Sequence, residues 1–426
     1  MATETKGRFG FGSFILLLLV VLGIVLAIYR FANGLGAVTN LNQGYPWGLW
    51  IGFDILAGIA LAAGGFVIAA AVHIFGGEKY HPLVRPAILT ALLGYLMFIG
   101  GLLIDLGRPW MVWDMIFFHH HESPMFEVGW CVMLYTTVLF LEFLPVVFER
   151  YKMSGTIRAW MNLMPLVAIV LLVMFAWFLT HSGTWTVVIA AVLVIFELAV
   201  RGGAVPRDAK APTLLIMAGI IFSTLHQSSL GTLFLMVPHK LDAIWYTPML
   251  PAMFFVSAVM AGLAMIIVES TLSSKFFGRG LELNLLQGVG KALSWMILIY
   301  VAFRGVDLAV RGVGTELFAV SPQSIAFWIE VILGLLIPLA ILLTPEGTAS
   351  GRGLFWAGLL VVLGLIVNRM NVAVTGVSGG YWPTYYPRWS EVAISAGIVS
   401  LGILVYVILC RNFPVFEKEH TQAAEA

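Results

Sequence analysis

The sequence predicts an all-α, polytopic membrane protein of about 10–12 spanning helices, and two observations support that prediction. Of the 426 residues, 60% are hydrophobic and only 11% are charged, whereas soluble domains carry about 25% charged residues. Apolar runs of about 20 residues, enough to cross the hydrocarbon core of a bilayer as a helix, recur along the whole chain. Because backbone hydrogen bonds must be satisfied within lipid, such runs are expected to be helices.

Hydropathy divides the chain into candidate spans that follow one another with short connections. They fall at 12–32, 48–75, 86–105, 127–148, 161–180, 185–201, 213–237, 248–270, 290–311, 323–343, 353–372 and 391–411. The sixth is the shortest and carries Glu197, so that with the fifth it is alternatively a re-entrant or peripheral hairpin. We therefore predict one membrane domain, 1–414, and a short polar tail, 415–426.

The distribution of lysine and arginine orients these spans, since basic residues accumulate on the cytoplasmic side. If the N-terminus is cytoplasmic, only seven of the 23 basic residues fall on the opposite side, namely Arg30, Arg108, Lys240, Arg304, Arg311, Arg369 and Arg388. Both termini and the tail are therefore predicted to be cytoplasmic. The opposite, outer side has loops rich in Trp, Tyr, Pro and Gly, at 39–48, 105–124, 238–248 and 376–389. Aromatic residues anchor headgroups, and loops this long also suggest a docking platform for an extracytoplasmic subunit.

Ionisable side chains within the spans are candidates for function, because a charge near the bilayer centre costs at least about 2.5 kcal/mol. Asp54 and Glu330 fall about two turns inside the outer ends of their spans. Arg304 and Asp307, three residues apart at the outer end of the ninth span, are alternatively a structural ion pair. A second tier toward the cytoplasmic side comprises His73, Glu142, Glu197 and Glu269.

The two tiers together predict a buried polar site that opens outward, or a proton path. The residues we assign to a hypothetical path are Glu330, Asp307, Glu142, Glu269 and His73. Glu142 and Glu269 are alternatively inner-end residues that reach water by snorkelling.

One segment, STLHQSSLGTL (223–233), places His226, Gln227, Ser228 and Ser229 side by side near mid-membrane. Hydrogen bonding between helices is one explanation for a histidine and two serines there. A ligand contact is the other, because histidine exchanges protons near neutral pH. A quinone headgroup needs both a hydrogen-bond donor and a group that exchanges protons.

Signatures of other redox centres do not emerge from the sequence. A membrane haem needs facing axial ligands, usually two histidines, and of the nine histidines only His226 lies deep in a span. The cysteines, Cys131 and Cys410, lie far apart in apolar spans and are interpreted as small core residues. We expect no haem, iron–sulfur cluster or metal in this chain, so another subunit would carry the electrons. The net charge of +1 predicts no nucleic-acid partner.

Several stretches, in order along most of the chain, resemble the NrfD/PsrC-type membrane subunits of respiratory oxidoreductases, and within them the HybB-like branch. The matching stretches are NLNQGYPWGLWIGFDILAGIALAAGGF (40–66), YHPLVRPAIL (80–89), FEVGWCVMLY with LEFLPVVFER (126–150), TLHQSSLGTL (224–233), PMLP (248–251), FWIEV (327–331) and GGYWPTYYPRWSE (379–391). HybB-like proteins usually have ten spans. An apparent insertion of about 45 residues around 160–205 adds a helical hairpin here.

The resemblance implies a haem-free, quinone-reactive subunit of the bacterial cytoplasmic membrane. It implies two four-helix bundles related by an inverted repeat, with flanking helices. It also implies an extracytoplasmic, ferredoxin-like iron–sulfur partner, often with a multihaem cytochrome c or a catalytic subunit. Carried onto this sequence, Asp54 and His226 are the first candidates for the quinone pocket, and Trp50, Gln227 and Glu127 are further lining candidates.

The sequence is thus interpreted as the quinone-converting subunit of a respiratory complex, working with menaquinone or ubiquinone and with or without proton translocation. A proton-coupled secondary transporter is an alternative, because interrupted spans and buried acids also serve that role. A structural membrane anchor for redox subunits is a third.

Overall fold

The computed structural model describes residues 10–45, 47–118, 120, 122–203, 212–377 and 385–416. Within these residues twelve helices are long and apolar enough to cross a membrane, which confirms the predicted all-α bundle. They are α1 (Phe11–Asn33), α2 (Trp50–His73), α3 (Glu78–Asp105), α4 (Pro124–Arg150), α5 (Ser154–Thr180), α6 (Gly183–Arg201), α7 (Thr213–Leu235), α8 (Leu250–Phe277), α9 (Leu283–Arg311), α10 (Pro322–Leu343), α11 (Gly351–Thr375) and α12 (Trp389–Asn412).

Some sequence predictions concern residues that the structure does not describe. They include most of the tail from 417 onward, part of the outer loop at 378–384, the end of the insertion at 204–205, and several basic residues counted on the cytoplasmic side, Lys6, Arg8, Arg207, Lys210 and Lys418. The orientation in the membrane therefore stays a prediction from charge.

The helices pack as two bundles of four with a flanking pair. The first bundle consists of α2, α3, α4 and α7, and the second of α8, α9, α10 and α11. Helix α8 joins the bundles by packing against both α7 and α2, while α1 packs along α12, which also contacts α3. Two four-helix bundles with flanking helices are what the family resemblance implies. Their inverted-repeat relationship stays a prediction.

Helices α5 and α6 form a peripheral hairpin at the predicted insertion. Helix α5 packs against α4 and α7, and α6 packs mainly against α5. Most of the side chains of α6, including Val187 and Ile195, are exposed. With 19 residues, α6 is about 28 Å long at 1.5 Å per residue, so it is long enough to cross the hydrocarbon core beside the bundles.

Glycine allows the closest helix crossings. Gly334 of α10 and Gly364 of α11 face each other so closely that a Cβ atom on Gly364 would lie 2.1 Å from the Cα atom of Gly334. Gly64 of α2 and Gly262 of α8 make a similar crossing between the bundles. Without a hydrophobic driving force in lipid, this close packing of small residues is what holds membrane helices together.

Candidate functional site

Helix α7 carries His226 into the centre of the first bundle. The imidazole is fully buried. Its Nδ1 atom lies 2.9 Å from the hydroxyl of Tyr95 on α3, and the ring of Phe98, one turn further along α3, packs at a centroid distance of 5.9 Å. The Nε2 atom is buried and has no hydrogen-bond partner among the described residues. One nitrogen is thus held in place while the other remains able to bind a ligand.

The residues that follow His226 point toward two other helices of the same bundle. The Gln227 amide donates to the carbonyl of Ile59 on α2 at 3.0 Å, while its Oε1 atom is buried without a partner in the described part of the chain. The Ser229 hydroxyl lies 2.6 Å from a carboxylate oxygen of Glu127 on α4. The structure therefore brings Gln227 and Glu127, two of the predicted lining residues, to the same stretch of α7 as His226.

A column of polar groups extends from His226 toward the predicted cytoplasmic side. Tyr135 of α4 packs edge-on against Tyr95 at 4.7 Å, and Ser223 lies one turn before His226 with its hydroxyl buried. Gly219, one turn before Ser223 on α7, packs against the half-buried Glu142. A Cβ atom built on Gly219 would lie 3.4 Å from Oε1 of Glu142. Sequence reasoning identified Glu142 but missed the two tyrosines and Ser223, because hydroxyls in apolar runs resemble ordinary core residues.

Asp54 lies in a second polar cluster, between the first bundle and the flanking helix α12. The backbone from Trp50 to Ala57 is π-helical, a local distortion frequent at functional sites. The buried Asp54 carboxylate accepts a hydrogen bond of 2.5 Å from Ser395 of α12. The indole of Trp50 donates to the backbone carbonyl of Glu391 at 3.2 Å.

Glu391 organises the outer end of this cluster. Its carboxylate accepts hydrogen bonds from the backbone of Asn40 at 2.8 Å and of Arg388 at 3.2 Å, and also from the hydroxyl of Tyr385. Burial and the hydrogen bond to Glu391 raise the pKa of the Tyr385 phenol above its usual range. Asp105, at the outer end of α3, lies within electrostatic range of Asp54 and Glu391. The buried Arg30 of α1 also acts on Asp105, so the cluster combines three carboxyl groups with one guanidinium.

The two leading candidates, Asp54 of α2 and His226 of α7, thus contact different stretches of α3. Gly101 packs against the side chain of Asp54, whereas Tyr95 and Phe98 contact His226. Six residues of helix separate Tyr95 from Gly101, which corresponds to about 9 Å along the axis. Asp54 with Trp50 forms an outer cluster, and His226 with its neighbours forms a deeper one.

The second bundle encloses a polar network around Glu330. The carboxylate accepts three N–H groups, from Asn368 at 2.7 Å, Asn371 at 3.0 Å and the Trp245 indole at 3.2 Å. The guanidinium of Arg369 donates to the Asn368 side chain at 2.6 Å and to Ser257 at 2.7 Å, and stacks over a phenylalanine ring. Every group in this network is buried.

Asp307 forms an ion pair, but not with the arginine that its spacing suggested. Arg311, four residues later on α9, lies 2.7 Å from its carboxylate, and Thr247 donates to the other oxygen at 2.5 Å. Arg304 instead donates to the carbonyl of Ile244 at 3.1 Å. The alternative of an Arg304–Asp307 pair is wrong, because the i+4 position places both Nε and Nη2 of Arg311 on one carboxylate oxygen of Asp307 and its Nη1 on nearby loop carbonyls.

The inner candidates for a proton path lie apart from one another. Glu142 packs on α7 in the first bundle, whereas Glu269 of α8 accepts a hydrogen bond from Tyr406 of α12. His73, at the end of α2, lies beside His81 at a ring distance of 6.3 Å. Within the described residues these three groups therefore belong to separate surroundings, and only Glu142 adjoins the column that leads to His226.

The surroundings of His226 also bear on haem. Its ring neighbours are Tyr95 and Phe98, and among the described residues it is the only fully buried histidine. A haem held by two axial histidines needs a second ring facing the first. The described residues around His226 do not provide one, and they contain no cluster of three or more metal-binding side chains.

Comparisons with known proteins give a consistent result. A family model described as "Polysulphide reductase, NrfD" matches residues 37–378. A protein from Nitratidesulfovibrio vulgaris, described only as "Protein", is 34% identical over 100% of this chain and 99% of its own. The "Probable Ni/Fe-hydrogenase 2 b-type cytochrome subunit" of Escherichia coli is 31% identical, over 93% of this chain and 90% of its own. The "Menaquinone reductase, integral membrane subunit" of N. vulgaris is 26% identical, over 92% and 88%.

Proposed function

This chain belongs to the NrfD family, and from that premise we propose that it is the quinone-interacting membrane subunit of a bacterial respiratory oxidoreductase. The names of two relatives support the proposal, since one is a menaquinone reductase membrane subunit and the other a hydrogenase membrane subunit. Menaquinone is the quinone that we propose first. The name of the hydrogenase relative includes a b-type cytochrome, but the surroundings of His226 favour a quinone over haem.

The observation that supports the proposal best is that two neighbouring residues of α7 each have a buried polar atom without a partner among the described residues. His226 Nε2 and Gln227 Oε1 are both fully enclosed and lack hydrogen bonds within the described residues. Leaving such groups unpaired costs about 1–3 kcal/mol each. His226 Nε2 can donate to a quinone carbonyl or accept from a quinol hydroxyl, and Gln227 Oε1 can accept from a quinol hydroxyl, so the residues present fit a quinone–quinol headgroup.

Tyr95 allows His226 to serve either direction of electron flow. A neutral imidazole has one N–H donor and one acceptor nitrogen. If Tyr95 donates to Nδ1, Nε2 carries the hydrogen and can donate to a carbonyl oxygen. If Tyr95 accepts from Nδ1, Nε2 can accept a hydroxyl proton. The two arrangements interconvert when protons shift along the contact. As Nε2 gives up its proton, Nδ1 takes the hydroxyl proton of Tyr95, which must be replaced from the polar column that leads to Glu142. When Nε2 takes a proton, Nδ1 returns its own to Tyr95, which passes one on.

A bound quinone would supply the two-electron, two-proton redox chemistry, and the protein would supply orientation and protons. Protons could reach His226 along the column formed by Glu142, Tyr135, Ser223 and Tyr95. The outer acidic cluster around Asp54 and Glu391 is the alternative source or exit, on the predicted extracytoplasmic side. We propose Asp54 and Trp50 as the residues that line the outer part of the quinone pocket.

The proposed electron donor or acceptor is a ferredoxin-like iron–sulfur subunit on the outer side, with a multihaem cytochrome c or a catalytic subunit beyond it. The exposed outer segment Pro109–Ile116, with Trp110 and Trp113 on its surface, is a suitable place for such contacts because aromatic side chains are enriched at protein interfaces.

The first test is quinone-dependent electron transfer by the purified complex with His226→Ala. Loss of quinone turnover, with normal assembly and normal reduction of the partner's iron–sulfur clusters, would support the proposal. Full turnover would return His226 to a packing role. If the protein purifies without redox partners, the alternative of a secondary transporter gains support. If partners are present but no quinone binds, the chain is a structural anchor.

A further inference from the structure

The segment that follows α12 crosses the inner ends of both bundles and is fastened at three places. Arg150 of α4 donates to the carbonyl of Asn412 at 2.7 Å, and Arg85 of α3 donates to the carbonyl of Pro414 at 3.2 Å. Val415 is fully buried. The guanidinium of Arg279, just beyond α8, stacks 3.5 Å above the centre of the Phe416 ring.

Phe416 forms part of the wall of a small pocket that a buried acid also lines. Its wall includes Glu269, Ser270, Arg279 and Phe416. The Glu269 carboxylate accepts a hydrogen bond from Tyr406 of α12 and is only 9% exposed. The pocket therefore brings a buried carboxyl group and the Phe416 ring together near the helix ends that are predicted to face the cytoplasm.

We propose that residues 412–416 form a strap that closes this pocket, and that release of Phe416 from Arg279 admits water to Glu269. The contacts differ in strength in a way that suits such a device. The two carbonyl contacts hold the strap to the first bundle, whereas its end is held to the second bundle by a ring and a cation. A cation–π contact at a partly exposed site is weaker than a charge-assisted hydrogen bond, and the other ring contact of Phe416, with Phe277, has a centroid distance of 5.6 Å, so the end of the strap can open while the rest stays attached.

The strap would determine when the Glu269 carboxyl group exchanges protons with water. This proposal does not depend on the proposed quinone chemistry, because Glu269 belongs to surroundings separate from those of His226. Its test therefore measures access of water-borne reagents to the pocket, not electron transfer.

The test uses a thiol placed in the pocket wall. In a background with Cys131→Ser and Cys410→Ser, the reporter Ser270→Cys is introduced and the protein is reconstituted in lipid nanodiscs, where both faces are accessible. The rate of modification by a charged maleimide is measured with and without Phe416→Ala. Because the Phe416 contact contributes on the order of 1 kcal/mol, we expect about a fivefold faster reaction when the ring is removed.

Three controls make the outcome specific to the strap. Phe416→Tyr keeps a ring over Arg279 and should react as slowly as the parent. Phe75→Ala removes a ring of equal size just beyond the end of α2, where Phe75 is 81% exposed, and should also leave the rate unchanged. A reporter at the exposed position Ser154→Cys measures general accessibility. An unchanged rate with Phe416→Ala, or an equal rise at both reporters, would overturn the proposal.

Discussion

The hydroxyl of Tyr95 and the Nδ1 atom of His226 lie 2.9 Å apart in a place where neither side chain is exposed to solvent. The tyrosine comes from α3 and the histidine from α7, so the contact joins two helices of one bundle. It also fixes the plane of the imidazole and hence the direction of its second nitrogen. The proposed role of His226 depends on this contact.

Removing the tyrosine hydroxyl should therefore weaken the quinone reaction without unfolding the protein. We expect Tyr95→Phe to lower turnover about tenfold, since a hydrogen bond of this kind contributes on the order of 1 kcal/mol and the freed nitrogen is left buried. Turnover would be measured in the complex for both quinone reduction and quinol oxidation.

A second buried tyrosine provides the control for this change. Tyr300 lies in the second bundle and is also buried, so Tyr300→Phe should leave turnover near that of the parent. Equal turnover in the Tyr95→Phe and parent proteins would mean that the hydroxyl does not support the imidazole, and the role assigned to His226 would lose its structural basis.

The outer cluster gives a second prediction, which separates a carboxylate from its supporting hydroxyl. Asp54→Asn keeps the shape of the side chain but removes its charge, and we expect a loss of turnover of about 100-fold, the lower range for removing an acid–base group. Ser395→Ala removes only the 2.5 Å hydrogen bond and should cost about tenfold or less. Steady-state rates over a range of quinone concentrations would distinguish the two. A larger loss in Ser395→Ala than in Asp54→Asn would contradict a proton-transfer role for Asp54.

The sequence predicted the spans well because their cause is local. A run of about 20 apolar residues is enough to specify a membrane helix, so most helix ends, including both ends of α6, lie within three residues of the predicted limits. Helices α3, α5, α8 and α9 each extend seven or eight residues further at the end predicted to face the cytoplasm. The buried position of His226 followed in the same way, from the apolar residues on either side of it.

The partners of the site residues could not be predicted, because they come from distant parts of the chain. Ser395 lies 341 positions from Asp54, and nothing in the spacing of either residue indicates the other. Tyr95 appears in an apolar run as an ordinary packing residue. Even the ion pair of Asp307 was assigned to the wrong arginine. Arg304, three residues before it, and Arg311, four residues after it, are both its neighbours on the helix surface.

The Glu330 network predicts that replacing this glutamate with a neutral residue will lower the free energy of unfolding. In Glu330→Gln, an amide nitrogen would face N–H donors that now share the two carboxylate oxygens, and the buried Arg369 would lose the nearest negative charge. Disrupting a buried charged network of this kind costs about 3 kcal/mol. Thermal unfolding of the detergent-solubilised protein should show a melting temperature several degrees lower.

A peripheral glutamate is the matched control. Glu197 is buried but pairs at 2.7 Å with Arg201, four residues later on α6, whose side chain is 46% exposed. The oxygen of a glutamine there can still accept from the guanidinium, so we expect the loss of this single, half-exposed pair to cost at most about 1 kcal/mol. Glu197→Gln should leave the melting temperature almost unchanged. If both variants unfolded at the same temperature as the parent, the Glu330 network would not be a source of stability.

The crossing of α10 and α11 gives a prediction about packing alone. Gly364→Ala would place a methyl group 2.1 Å from the Cα atom of Gly334, where only main chain is available to move, so the helices must separate. Overpacking of this kind costs about 1–3 kcal/mol, which exceeds the roughly 1 kcal/mol that alanine gains over glycine in a helix. In Gly305→Ala on α9 the new methyl group meets nothing within 4 Å, so this variant should show only the stability that alanine gains over glycine in a helix. Thermal unfolding should therefore shift in opposite directions for the two variants, and a shared increase would show that the close crossing can relax.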